Sequence, residues 1–380
     1  MINKDRLKKT FIELVEINGE SGNELKVAEY LKEKLKGLEI NYRQDNAGEK
    51  FNGNCGNIIA FLESSDLELP AIMLCAHMDT IEPTKGIKTI VEDGCIRTDM
   101  TTILGADNRA GVACIIELLT TLKEKSLKHP PLYILFSVAE EIGMYGAKNI
   151  RREEIEAHCG FVFDCSAKSG QFVTNAPTSK HIVIKIYGKA SHAAVQPENG
   201  INAIKIAANA ISKLRSGRIS KLGTFNFGKI KGGKAINIIP EFVEIEAESR
   251  STDNKFLNEN IENLKAVFET EAAELGGGAE IQVNEKYHSF NLDNSDDVVK
   301  IASGGIKKIG FHPLPITYPG GSDANIYNSI GIPTVNLGIG FRNVHSNSEY
   351  IKVNDLNNAA EIGLSIIEYA HGYLALNRKL

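Results

Sequence analysis

Three apolar, strand-like runs each stop on ionisable side chains, which restricts the chain to folds that gather strand ends in one place. Ala71 to Ala76 runs into His77-Met78-Asp79, Leu132 to Val138 delivers Glu140 and Glu141, and Gly160 to Phe163 ends at Asp164. Between the first two lies Leu104-Gly105-Ala106-Asp107-Asn108, which leads into Arg109 to Leu122, mostly apolar and long enough for a buried helix. Strands alternating with helices predict an α/β sheet covered on both faces, with its chemistry beyond the strand ends. Two amphipathic patterns, Lys4 to Ile17 and Gly22 to Leu38, open the chain, the second with Ser21 as its expected cap.

Adjacent acids such as Glu140 and Glu141 oppose each other's ionisation, and the loss is tolerated where something positive sits beside them. In an extended segment neighbouring side chains diverge, so one glutamate can ligate a cation while the other faces a substrate as a proton carrier. A late histidine, His345, arrives in His345-Ser346-Asn347-Ser348-Glu349-Tyr350. Imidazoles and carboxylates without thiolates suit Zn²⁺, Mn²⁺ or Co²⁺. Taken singly, each residue has a structural reading: a lone histidine in a core, Asp107 or Asp164 capping a helix, the glutamates in a solvated turn. Those readings do not account for the whole ordered set. The remaining histidines (His129, His158, His181, His288, His312 and His371) fit no ligand position.

From about His181 the rhythm changes to strand, helix, strand, strand, helix, strand, ending near Tyr287, which is the βαββαβ order of a ferredoxin-like unit. The α/β rhythm then resumes with Leu314 to Tyr318, a turn at Pro319-Gly320-Gly321-Ser322, the strand Pro333 to Leu337 and a final helix from about Val353. The expected layout is a first domain in two segments, 1–177 and 289–380, interrupted by an inserted domain at 178–288. A chain of 380 residues with 42% hydrophobic content has ample length for both cores. The formal charge of −5, without a dense Lys/Arg run, points away from nucleic acid and anionic membranes. No apolar segment reaches the ~18 residues of a spanning helix, and the polar start is unlike a secretory signal, so a cytoplasmic location is expected. The six cysteines form no C-x-x-C pair and read as reduced.

The ordered set His77-x-Asp79, Asp107, Glu140-Glu141, Asp164, a βαββαβ insertion and a final His345 resembles the M20 metallopeptidases, within them the peptidase T-like branch. The resemblance covers nearly the whole chain. It implies an α/β, zinc-peptidase-like catalytic domain, a mixed sheet flanked by helices, with the ferredoxin-like insertion as a lid and dimerisation domain. It further implies two divalent metal ions, zinc first with manganese or cobalt as alternatives, His77 and Asp164 holding one, Glu141 and His345 the other, and Asp107 bridging. Asp79 would orient His77, and Glu140 would be the general base. In the insertion, His192 matches a histidine that reaches across a homodimer interface to the oxyanion, while Asn237 and Arg250 match substrate contacts. The Gly320-Gly321-Ser322 turn opens a helix, where backbone N–H groups could receive a carboxylate. The activity implied is aminopeptidase action on tripeptides or similar short peptides. An N-acyl-amino-acid deacylase or carboxypeptidase-like enzyme is the first alternative, and a catalytically dead scaffold the second. The Asp107-Asn108-Arg109-Ala110-Gly111 segment also has a counterpart in M42 aminopeptidases, but there the extra domain interrupts the chain earlier.

Overall fold

The computed structural model describes residues 1–64, 68–221 and 223–377, which separate into two compact units. In the first, a mixed sheet runs Asn41–Gln44, Ile58–Leu62, Leu132–Ser137, Ala71–His77, Ala157–Cys165, Thr334–Gly338 and Gln171–Ala176 in spatial order. The four strands from Leu132–Ser137 to Thr334–Gly338 are parallel to one another, and their neighbours on each side are antiparallel. A strand buried on both faces needs side chains that are apolar throughout, and all seven residues of Ala71–His77 are buried. Parallel pairing has a direct geometric consequence: His77, Asp164 and the Glu140 loop all emerge at the same edge of the sheet.

Asp107 reaches that edge on the helix Ala106–Lys125, which packs on the Ala71–His77 and Ala157–Cys165 strands between the helices Lys4–Val15 and Val353–Asn377. Gly111 allows the approach. A Cβ there would stand 2.0 Å from the Phe163 carbonyl oxygen, so any larger residue would push the helix, and Asp107 with it, off the strand. The helix is longer at both ends than the apolar stretch Arg109 to Leu122 suggests, and its start is irregular: Asp107 and Asn108 have non-helical backbone angles.

A further small sheet, Tyr350–Lys352, Cys95–Arg97 and Ile90–Glu92, ties the segment after His345 to the segment before Asp107. Its strands are three residues each, too short to show a periodic pattern in the sequence.

The second unit comprises Asn175–Phe290 with Tyr318–Gly321. Its antiparallel sheet has the order Gly217–Arg218, Gly223–Gly232, Phe242–Ser251, Thr178–Tyr187, Gly278–Tyr287, and the helices Ala203–Ser212 and Asn254–Glu274 complete the βαββαβ connection. Alternate residues of the middle strands, among them Ile182, Ile184, Ile186, Val243 and Ile245, are buried in a core with helix residues such as Ile206, Leu264 and Phe268. The tetrapeptide Tyr318–Gly321, expected within 289–380 of the first domain, groups with this unit. There the Tyr318 N–H donates to the Asn175 carbonyl at 2.9 Å, and a Cβ on Gly321 would lie 2.2 Å from the Tyr287 ring. No helix among the described residues is long and apolar enough to cross a membrane.

Candidate metal centre

His77 is the last residue of its strand and is only 2% exposed. Its Nε2 lies 3.2 Å from Asp107 Oδ1 and 3.4 Å from Asp164 Oδ1, while its Nδ1 faces Asp79, 3.0 Å from the carbonyl oxygen and 3.2 Å from Oδ1. The Asp79 oxygens accept at Nδ1, which leaves Nε2 as the nitrogen with a lone pair for a cation. On the other side of Asp107, His345 Nε2 lies 2.9 Å from Glu141 Oε2 and 3.7 Å from Asp107 Oδ2. Ligand atoms of His77, Asp107 and Glu141 all fall within 4.8 Å of one another.

Asp79 does more than touch His77. Its fully buried carboxylate accepts the Ser21 hydroxyl at 2.6 Å, the Glu140 N–H at 3.0 Å and the Glu141 N–H at 3.1 Å. Ser21 is therefore not the cap of the second helix. That helix runs Leu25–Gly37 from Glu24, which has no side-chain cap bond; Glu24 instead accepts the Ala139 N–H at 3.0 Å and steadies the same glutamate-bearing loop. The Glu140 carboxylate itself makes no hydrogen bond or ion pair among the described residues.

The electrostatics indicate a site short of positive charge. Burial raises Glu140 well above the usual carboxyl range, and the charges of Asp164, Asp323 and Glu141 push it the same way. Burial, together with the charge of Asp107, likewise holds Asp164 well above its ordinary value. For His77 burial would lower the pKa, but Asp164, Asp107 and Asp79 raise it well above the ordinary imidazole value. The hydrogen bond with Glu141 lifts His345 to about 9. Asp164 Oδ1 is moreover buried without a hydrogen bond, although His77 Nε2 is close. Crowded carboxylates, an orphaned buried oxygen and two imidazoles fit divalent cations bound by nitrogen and oxygen donors.

Two side chains that sequence reasoning passed over hold the ligand loops. Glu349 accepts the N–H groups of Leu104 at 3.1 Å, Gly105 at 2.7 Å and Asp107 at 2.9 Å. Arg342 donates from Nη1 to the carbonyls of Ser166 at 2.8 Å, Gly340 at 2.7 Å and Phe341 at 2.9 Å, and so links the chain beyond Asp164 to the approach to His345. Neither position lies in an apolar period; the one available signal was the proximity of both to His345 in the sequence.

His192, Asn237, Arg250, Gly320 and Gly321 belong to the second unit. His192 is exposed, and its Nδ1 accepts the Ala194 and Val195 N–H groups at 3.2 Å each, so the proton of the neutral ring sits on Nε2, free to be donated outward. The Asn237 carbonyl accepts the Ala193 N–H at 3.0 Å, which ties it to the His192 turn. Arg250 donates to Glu248 Oε1 at 2.9 Å. Ser322, in the first unit, caps the helix Asp323–Ser329 in a reciprocal box with Asn325. The Ser322 N–H, one of the amides of that turn, donates to Asn325 Oδ1 at 3.1 Å. His158 and His181 pair with Asp297 and Glu246, neither of them a member of the ligand set.

A family model for peptidase family M20/M25/M40 matches residues 73–369. The chain is 39% identical over 370 residues to the uncharacterized protein YqjE of Bacillus subtilis, covering 97% of this chain and 100% of that one. It superposes on the crystal structure of aminopeptidase PepT from Bacillus cereus ATCC 10987 with a TM-score of 0.90 at 39% identity, covering 97% and 99% of the two chains. With a tripeptidase from Staphylococcus aureus subsp. aureus Mu50 the TM-score is 0.94 at 40% identity, covering 98% and 100%. Matched along most of its length by the family model and by both solved relatives, the chain belongs to peptidase family M20/M25/M40.

Proposed function

We propose that this protein is a two-metal aminopeptidase that hydrolyses short peptides, tripeptides foremost, from a free amino end. The observation that carries the metal reading is Asp107, whose oxygens face separate imidazoles: Oδ1 lies 3.2 Å from His77 Nε2 and Oδ2 lies 3.7 Å from His345 Nε2. With Asp164 beside His77 and Glu141 beside His345, each half offers one imidazole and one further carboxylate. His77 and Asp164 would hold one cation, Glu141 and His345 the other, and Asp107 both. Zinc suits these donors, and manganese or cobalt can be held by the same set. The aminopeptidase and tripeptidase names carried by the two solved relatives support the substrate class.

When bound, such a pair of ions polarises the scissile carbonyl and makes the attacking water more acidic. The chain's own residues supply the rest. Glu140 takes the proton from the water and passes it to the departing amine. Asp79 keeps the His77 proton on Nδ1 and fixes the backbone of both glutamates. His192 donates from Nε2 to the oxyanion from a partner subunit, and Arg250, Asn237 and the Gly320-Gly321-Ser322 turn meet the peptide. A homodimer through the inserted domain is supported by apolar side chains that domain leaves exposed, among them Val195, Ile230 and Ile236. A cytoplasmic location accords with six free thiols.

Purified, zinc-reconstituted protein is expected to cleave free tripeptides and to spare their N-acetylated counterparts and N-acyl amino acids, with chelator abolishing the activity. Preference for the blocked compounds would replace the aminopeptidase reading with a deacylase. Asp79→Asn is expected to cost about 10–100-fold in metal affinity or in kcat. Metal titration and steady-state kinetics check it, and wild-type values in both would remove Asp79 from the site.

A further inference from the structure

We infer that Glu349 is a positioning residue that sets Asp107 against His345, an inference that rests on the metal-centre reading above. The helix carrying Asp107 begins after Gly105, which adopts a left-handed backbone (φ 74°) and offers no side chain to accept the N–H groups at the helix start. Such groups need an acceptor from elsewhere. Glu349 supplies it from a distant part of the chain, with Oε2 receiving Leu104 and Gly105 and Oε1 receiving Asp107. It is 1% exposed, and a carboxylate so buried costs stability unless strongly hydrogen-bonded. Three backbone donors on two oxygens meet that requirement.

The same residue belongs to the loop that presents His345. That loop is closed at its base by Arg342 and Tyr350, which exchange backbone hydrogen bonds at 2.9 and 3.1 Å, and Glu349 N–H donates to the Ser346 carbonyl at 3.0 Å. Tyr350–Lys352 then pairs with Cys95–Arg97. One side chain thus joins the two loops that carry the shared acid and the second imidazole. An ordinary helix cap would serve the helix start equally well from a neighbouring residue. The use of a side chain four positions beyond His345 couples the two loops, so that neither shifts alone.

Glutamine keeps the shape but turns an amide toward N–H donors, and aspartate keeps the charge but shortens the reach. Zinc titration of Glu349→Gln and Glu349→Asp against a chromophoric chelator reads the consequence, beside the visible spectrum of the cobalt-loaded proteins. Expected are folded variants in which the weaker of the metal affinities drops about 10–100-fold, the cobalt spectrum changes, and kcat falls while KM holds. Wild-type affinity and spectrum in both variants would overturn the inference and leave the metal-centre reading intact. Failure of both variants to fold would also overturn it, by assigning Glu349 to stability alone. A wild-type protein that binds no zinc or cobalt would remove the metal-centre reading and this inference with it.

Discussion

Replacing Glu140 by glutamine is expected to lower kcat on a free tripeptide by about two to four orders of magnitude, with the bound metal unchanged. The separation of effects follows from the geometry. The Glu140 side chain has no hydrogen bond or ion pair among the described residues, and its backbone N–H, not its carboxylate, is what Asp79 holds at 3.0 Å. The proposed ligand atoms are those of His77, Asp107, Glu141, Asp164 and His345, none of which is held by the Glu140 carboxylate. Glutamine preserves volume and cannot take a proton. Burial raises the native carboxyl well above its usual range, the direction that makes a better proton acceptor than a bare surface carboxylate. Turnover measured alongside metal content decides the matter, and a fully active variant would end the role assigned to Glu140.

Asp107→Asn is expected to be at least as damaging and to fail differently. The amide leaves one oxygen where two are used, and its NH₂ group faces one of the two imidazoles. If Asp107 is shared as proposed, its loss removes part of the attraction for both cations. The transition-state stabilisation they provide is worth several kcal/mol, so activity should fall by about three orders of magnitude or more. Metal content should fall with it, in contrast to Glu140→Gln. Metal analysis after gel filtration, followed by kinetics with added zinc, separates the two. Retention of a full metal complement with near-native turnover would mean that Asp107 is not shared.

Much of this arrangement is legible in the sequence because strand ends are. Ala71–His77 reads as an unbroken apolar run because both of its faces are covered, and its last residue is a histidine. The same logic exposes Glu140, Glu141 and Asp164, and the alternation in Ile182, Ile184 and Ile186 marks a sheet with one buried face. The supports are harder to see. Ser21 looks like a helix cap, since serine before an amphipathic run usually is one, yet tertiary contact gives its hydroxyl to Asp79. Ser322 reads as part of a turn, and its reciprocal capping box with Asn325 is a local detail that the turn residues alone do not announce. Glu349 and Arg342 act on backbone groups far away in sequence, Leu104–Asp107 and Ser166 respectively, and such pairings leave no local pattern.

The fourfold use of Asp79 limits how this enzyme can be altered. One carboxylate orients an imidazole and fixes the main chain of two neighbouring glutamates, so with the proposed roles ion preference and proton transfer become correlated variables on this side of the centre. A change there that retunes one will drag the other along. The His345 side is anchored through different atoms, by Glu349 and by the Arg342–Tyr350 closure of its loop. Selection for a new metal, in nature or in the laboratory, would therefore meet antagonism at Asp79 through one carboxylate and near His345 through Glu349.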